Sequence, residues 1–439
     1  MEIMVLRRFF VIVFLAFSLN SAFCITNVTH VIHILVDGLS GIYLKKGIDE
    51  NPSGFPNFGR FVREGACTFN ARTDYDYTET LPDTVTTLTA RPVIGTPDMP
   101  PSAKHLINFN YWNPYVTIHS YGDTNKGYIS SVFDVVHDSG MTTGFFSEKD
   151  KFQMIVVSYN EVNGGMDLVG EDNGRNKIDF SSIIDTWNNP AVVLSFAEEI
   201  QSNHFNYSFV HIADMDYAGH YYGWGTEIWY EQLVVVDQCL GLIFDVIDND
   251  EEFAGKTAII LTADHGGGYP PTTHVYPEYE LNYTIPLLVW GAGFTLGSDL
   301  YDYFSNRLDP QHSRPDYYYR YQPLRNGDSA NIALSLLGLN PIPGSYMIPI
   351  FGQPPAVIKY EIINGFVVLS WKTNSGEYVL EASSSLSANS NWTVVNGNFI
   401  TDGALYHHSH PIANNAPLLF FRLRKTSDNL MPLNVSQHP

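Results

Sequence analysis

The stretch ILVDG ends an apolar run on Asp37, and HIADMDYAGH places Asp214, Asp216 and His220 just beyond another. LTADHGGG ends a third run on Asp264 and His265, and PPTTHVYP follows with His274. Carboxylates and imidazoles are costly at the end of a buried strand unless something there uses them. Together they are ligands for a divalent cation, and the mixture suits zinc, manganese or iron better than calcium. A single such Asp reads as a helix cap or turn former. Their joint recurrence after separate apolar runs is what points to metal. In an extended segment Asp214 and Asp216 share one face, so either could serve.

The elements that must hold these residues are legible as alternating runs. HVIHILV, YSFVHIA, TAIILTA and PLLVWG read as buried strands, with helices between them such as FPNFGRFVREG and AVVLSFAEEIQS. In WYEQLVVVDQCLGLIFDVID, residues Leu233, Val236, Leu240, Ile243 and Ile247 keep one helical face. Alternation of this kind predicts an α/β fold, a mostly parallel sheet sandwiched by helices. Ligands then bind outside the carboxyl ends of the strands. Past the Pro-rich NPIPGSYMIPIFGQPPA the runs become short and strand-like, separated by Asn-Gly and Ser/Asn clusters. That predicts a small all-β sandwich, an accessory module, over residues 354–426. The domain reading is a leader at 1–24, a main domain at 25–350, this module, and a tail at 427–439.

The formal net charge of −22 argues against binding to a nucleic-acid duplex, which needs Lys and Arg against phosphates. It also requires local positive charge wherever an anionic substrate is bound. Arg7 and Arg8 precede an apolar stretch from Phe9 to Leu19, with small residues near Ala22. This is the form of a secretory signal peptide, so the expected location is extracellular, periplasmic or a secretory lumen, with no membrane span in the mature chain. Of the three cysteines, Cys24 can leave with the leader, and a Cys67–Cys239 disulfide is allowed. Glycosylation sequons stand at Asn27, Asn206, Asn282, Asn391 and Asn434. His33 reads as structural, and His407 and His408 fall in the β module.

The order VDG, Thr-Leu-Pro, D-x-x-G-H and DHG resembles the alkaline phosphatase superfamily, especially its type I phosphodiesterase/nucleotide pyrophosphatase branch, over roughly residues 30–345. The resemblance implies two divalent metal ions, zinc foremost. Asp37, Asp264 and His265 would hold one, with Thr80 bridging toward it. Asp216, His220 and His274 would hold the other, Asp216 being preferred to Asp214 because it matches D-x-x-G-H. Thr80 would be the nucleophile. Taken without the resemblance, Thr80 is an ordinary N-cap, and Thr78 could be named as easily.

The chemistry has its own logic. Two nearby cations clamp an anionic phosphate ester and stabilise the attacking and leaving oxygens in line. A threonine hydroxyl needs such activation. Pro82 suits a first helical turn and leaves Thr80 at the positive helix end. Where the resemblance implies an Asn three residues after the nucleophile, this chain has Asp83, a carboxylate that repels an anion unless protonated. Lys149 in SEKDKF resembles a phosphate-contacting lysine, with Lys151 as the alternative, and either reads equally as a solvated loop charge. His105 and Asn108 are candidates for the pocket rim. The function expected is a secreted two-metal phosphohydrolase cleaving phosphodiester or pyrophosphate bonds of small, nucleotide-like substrates through a phospho-threonine. The alternatives are a phosphate monoesterase, a sulfate or phosphonate hydrolase, or a catalytically impaired binding protein. The sequence leaves the oligomeric state open.

Overall fold

A computed structural model describes residues 28–169, 172–185, 190–291, 293–373, 378–385, 391–396, 399–402, 404–411 and 419–426. The leader, Cys24, the sequons at Asn27 and Asn434, and the 427–439 tail lie outside the described residues. The chain divides into two compact units. One runs to Tyr301 and resumes over Arg307–Ile350; the other joins Asp302–Asn306 to the chain from Phe351 onward.

The first unit is built on one sheet of eight strands: β1 (His30–Val36), β2 (Ala66–Arg72), β3 (Thr143–Ser147), β4 (Phe180–Ile183), β5 (Tyr207–Ile212), β6 (Thr257–Thr262), β7 (Thr284–Trp290) and β8 (Ser298–Asp299). Their order is β4-β3-β5-β1-β6-β7-β2-β8. Among these strands β7 alone runs against its neighbours; the other pairs are parallel. Every residue of β1, β5 and β6 is buried. Their unbroken apolar runs follow from that position, because a parallel sheet is covered on both faces. Helices Pro56–Glu64, Ala191–Asn203 and Glu227–Asn249 pack as one group, and helix Asp328–Leu336 packs with Thr80–Thr89 and Val132–Asp138 as another. The longest helix, Glu227–Asn249, buries Leu233, Val236, Leu240, Ile243 and Ile247, the face that its spacing predicted. The Thr226 hydroxyl caps it by accepting from the Trp229 N–H.

Strands β3, β5, β1 and β6 are consecutive in the sheet. Their carboxyl ends therefore bring the segments after Ser147, Ile212, Val36 and Thr262 to one edge. The Asp37 N–H donates to the Ile212 carbonyl at 2.9 Å, which fixes the level of two of these ends.

The second unit holds two antiparallel sheets. β13 (Ile400–Thr401), β14 (Leu405–Pro411), β10 (Phe366–Lys372) and β9 (Lys359–Ile363) form one; β12 (Thr393–Val394), β11 (Tyr378–Ser383) and β15 (Phe420–Lys425) form the other. Leu369 and Trp371 from the first sheet meet Leu380 and Leu423 from the second in a common core, which makes the unit a small sandwich.

Two sequence features read differently in the fold. Cys67, in β2, and Cys239, in the long helix, are free thiols, so the allowed disulfide is not formed. The Asn282 sequon is fully buried, its amide donating to the Tyr269 and Tyr276 carbonyls at 2.8 and 3.0 Å. A glycan cannot be accommodated there, whereas Asn391 is exposed.

Candidate metal centre

Asp37 follows β1 and is fully buried. Its Oδ2 lies 3.0 Å from His211 Nε2 and 2.7 Å from the Lys149 ammonium. Its Oδ1 faces Thr80 Oγ1 at 3.4 Å and His265 Nε2 at 3.5 Å. Burial alone would raise this carboxyl, but the Lys149 charge and the His211 contact hold it well below the usual carboxylate range. Asp264 follows β6. Its Oδ1 accepts from the Gly38 and His265 N–H groups at 3.0 and 2.8 Å, leaving Oδ2 turned toward His265 Nε2 at 3.4 Å.

The segment after β5 is not extended. Asp214–Tyr222 is a helix, and at about 100° per residue Asp214 and Asp216 point different ways. Asp216 faces the site, and one turn on, His220 Nε2 is 3.3 Å from its Oδ1. His274 Nε2 is 3.5 Å from the same oxygen, and its ring stacks on His265 at 3.7 Å between centroids. Two trios have ligand atoms within 4.8 Å of one another: Asp216, His220 and His274, and Asp37, Asp216 and His265.

Tautomers decide what these groups can bind. Nδ1 of His265, His274 and His220 faces the carbonyl of Gly266, Thr78 and Thr272 at 2.8, 2.5 and 3.0 Å. A carbonyl only accepts, so each Nδ1 carries a proton and Nε2 is the nitrogen that each ring turns inward. Burial also lowers the His265 and His274 pKa values, the latter to about 3. The Nε2 atoms of His220 and His274 stand 3.2 Å apart. Asp216 Oδ1, Asp264 Oδ2 and His265 Nε2 are buried with no hydrogen-bond partner among the described residues. Lone pairs converging this way repel one another unless a cation lies between them. The donor set therefore fits divalent metal, and its three imidazoles and three carboxylates fit zinc.

Thr80 opens the helix Thr80–Thr89 after an extended Glu79. Thr78 is engaged elsewhere. Its hydroxyl donates to the His274 carbonyl at 2.5 Å, while its own carbonyl faces His274 Nδ1. Asp83 turns toward the loop before the helix. Its Oδ1 meets Thr73 Oγ1 at 2.8 Å and the Asp74 N–H at 3.3 Å, and its Oδ2 accepts from the Glu79 N–H at 2.7 Å. Thr73 Oγ1 also contacts the Asp264 carbonyl. Burial and the Asp74 charge raise the Asp83 carboxyl well above its ordinary range. Lys149 Nζ lies between Asp37 and Asp216, 2.6 Å from Asp216 Oδ2.

Two residues at this edge escape a reading of the sequence. His211 sits inside an apolar strand, where a histidine reads as structural; only the strand register reveals its contact with Asp37. Asn110 carries no motif, yet its Oδ1 accepts from the Leu81 N–H at 3.0 Å and from Lys151 Nζ at 2.9 Å, beside Thr80. Of the rim candidates, His105 is buried against Thr86 Oγ1 at 2.9 Å, and Asn108 accepts from the Tyr121 hydroxyl. Neither joins the Asp/His cluster.

A mostly parallel sheet with Asp and His gathered at the carboxyl ends of adjacent strands defines an α/β protein with a cluster able to hold metal. Its residues 102–279 match the family model described as Type I phosphodiesterase / nucleotide pyrophosphatase, which agrees with the resemblance carried by the motifs. That span includes Lys149, Asp216, His220, Asp264, His265 and His274, and begins after Asp37 and Thr80. No curated protein matches the chain. Among solved structures, an alkaline phosphatase superfamily protein from Vibrio parahaemolyticus is similar at 12% identity, covering 79% of this chain and 76% of that one, with a TM-score of 0.46. A mutant of the alkaline phosphatase PafA is similar at 13% identity, covering 75% and 100%, with a TM-score of 0.49. An inactive murine ectonucleotide pyrophosphatase/phosphodiesterase 5 in complex with AMP is similar at 12% identity, covering 72% and 96%, with a TM-score of 0.41.

Proposed function

We propose that this chain is a secreted phosphohydrolase that uses two divalent metal ions, zinc foremost, and Thr80 as nucleophile, on phosphodiester or pyrophosphate bonds of nucleotide-like substrates. The observation that carries the reading is the convergence of three imidazole Nε2 atoms and the unpartnered oxygens Asp216 Oδ1 and Asp264 Oδ2 beside the Asp37 carboxylate that faces the Thr80 hydroxyl. Asp37, Asp216, His220, Asp264, His265 and His274 would hold the metal, which when bound would supply Lewis acidity toward the phosphoryl charge and the Thr80 hydroxyl.

The chain's own groups do the rest. The position of Thr80 at a helix start favours negative charge on its oxygen. Thr80 Oγ1 gives up its proton and bonds to phosphorus as the bond to the ester oxygen breaks and that oxygen leaves with a proton. Water then attacks the phosphorus, the bond to Oγ1 breaks, the phosphate product leaves with the water oxygen, and Oγ1 takes back a proton. Lys149 holds Asp37 and Asp216 ionised, and Lys151, held beside Thr80 by Asn110, would supply a donor to the phosphoryl oxygens. Asp83 supports the loop before Thr80 and is kept from the substrate by its hydrogen bonds. The leader at residues 1–24 supports secretion.

A second reading, phosphate monoester hydrolysis, is favoured by Lys151, which stands beside Thr80 through Asn110. A monoester dianion gains more than a diester monoanion from an ammonium group in a buried site. The test is hydrolysis of p-nitrophenyl phosphate, bis-p-nitrophenyl phosphate, a dinucleotide and p-nitrophenyl sulfate, with and without chelator. Chelator-sensitive diester cleavage exceeding monoester cleavage is expected. A reversed preference selects the second reading, and fastest cleavage of the sulfate overturns both.

A further inference from the structure

The helix Asp214–Tyr222 carries Asp216 and His220, and Trp224 lies two residues beyond it. Trp224 is 5% exposed. The indole N–H donates to the Gly38 carbonyl at 2.8 Å, next to Asp37. The Gly38 N–H in turn donates to Asp264 Oδ1 at 3.0 Å. The indole stands edge-on to the His220 ring at 5.4 Å and to the His274 ring at 5.9 Å. The Trp224 backbone N–H donates to the Pro271 carbonyl at 3.0 Å, at the start of the segment that leads to His274.

The glycines around it are shaped to this ring. A Cβ on Gly219, between Asp216 and His220, would stand 2.4 Å from Trp224 Cε2. A Cβ on Gly267, two residues past His265, would stand 2.2 Å from the same atom. A Cβ on Gly268, at φ +117°, would stand 3.0 Å from Trp224 Cβ. A buried tryptophan finds a partner for its indole N–H, and this one finds it at the turn that carries Asp37. Three glycines and two imidazoles stand around the ring. It touches each of the four segments that hold the six candidate ligands: the turn after β1, the helix after β5, the turn after β6 and the 270–274 loop.

We infer that Trp224 is a positioning residue that sets the spacing between the two ligand groups, tying the Asp37 turn to the Asp216–His220 helix and the His265–His274 loop. The inference rests on the two-metal reading of the site. Groups one step behind metal ligands typically change affinity 10- to 100-fold when altered. Trp224→Phe keeps an aromatic ring and removes the N–H that reaches Gly38.

The test is zinc uptake by metal-stripped protein, read in competition with a chromophoric chelator, with melting followed in parallel. Wild type is expected to take up two ions per chain. Trp224→Phe is expected to bind at least one of them about tenfold or more weakly, with hydrolysis restored toward wild type by excess zinc. Trp290→Phe, whose indole N–H donates to Glu64 at 2.9 Å instead, is expected to bind zinc as wild type does. If Trp224→Phe does not fold, Gly219→Ala pushes on the same ring and is expected to weaken binding likewise. Zinc affinities equal to wild type in the folded variant overturn the inference, even if its melting temperature drops. Fewer than two ions in wild type overturn the two-metal reading, and the inference with it.

Discussion

Asp83 shows how one carboxyl can read as an obstacle in sequence and as a support in structure. Three residues past the proposed nucleophile, an ionised carboxylate would repel a phosphate. In the fold its oxygens face Thr73, Asp74 and Glu79. Thr73 has a single hydroxyl proton and two acceptors beside it, Asp83 Oδ1 and the Asp264 carbonyl. A proton on Asp83 resolves the conflict: Asp83 donates to Thr73, and Thr73 donates to Asp264. The raised pKa from burial and the Asp74 charge agrees with this. A carboxyl that titrates higher in the folded state takes up a proton on folding. Its contribution is fully favourable below the unfolded pKa and declines as pH rises toward the folded value. Asn at this position keeps one acceptor and one donor and removes that dependence. Asp83→Asn is therefore expected to unfold within about 1 kcal/mol of wild type at neutral pH, and Asp83→Ala to lose about 2 kcal/mol or more. Urea unfolding of the two variants checks this. An Asn variant as unstable as the Ala variant would show that the charge itself is required.

At the scale of elements, much of the site was legible because strand ends announce themselves. Asp37, Asp264 and His265 each interrupt an apolar run, and the sheet delivers them together since β1 and β6 are neighbours. The helix after β5 was not legible. DMDYAGH reads as well extended as helical, and only its packing against the long helix Glu227–Asn249 settles the matter. The glycines after His265 were legible as a need for space, but not for whose space. They admit the Leu281 carbonyl and the Trp224 ring, partners that lie far from Asp264 in the chain or carry no motif. Asn110 and His211 were hidden for the same reason. Each depends on a contact that long-range packing creates, not on local spacing.

For the whole molecule, the charge of −22 sets the problem that the site must solve. The phosphate ester proposed as substrate would approach against the net charge, so local cations would have to reverse the field at the sheet edge. The converging donors also couple metal to stability. Ions that bind the folded chain stabilise it by about 4 kcal/mol at a thousandfold excess over Kd. Chelator is expected to lower the melting temperature of the first unit by several degrees, and added zinc to restore it. Differential scanning calorimetry with both treatments checks this; a transition that ignores both would contradict a metal-held site.

The proposed chemistry turns on Thr80 as the nucleophile of a metal-dependent phosphohydrolase. The most direct measurement is hydrolysis of bis-p-nitrophenyl phosphate by purified Thr80→Ala, with metal content determined on the same sample. A rate at least about a thousandfold below wild type is expected with the same metal per chain. A rate within about tenfold of wild type at equal metal content would contradict it.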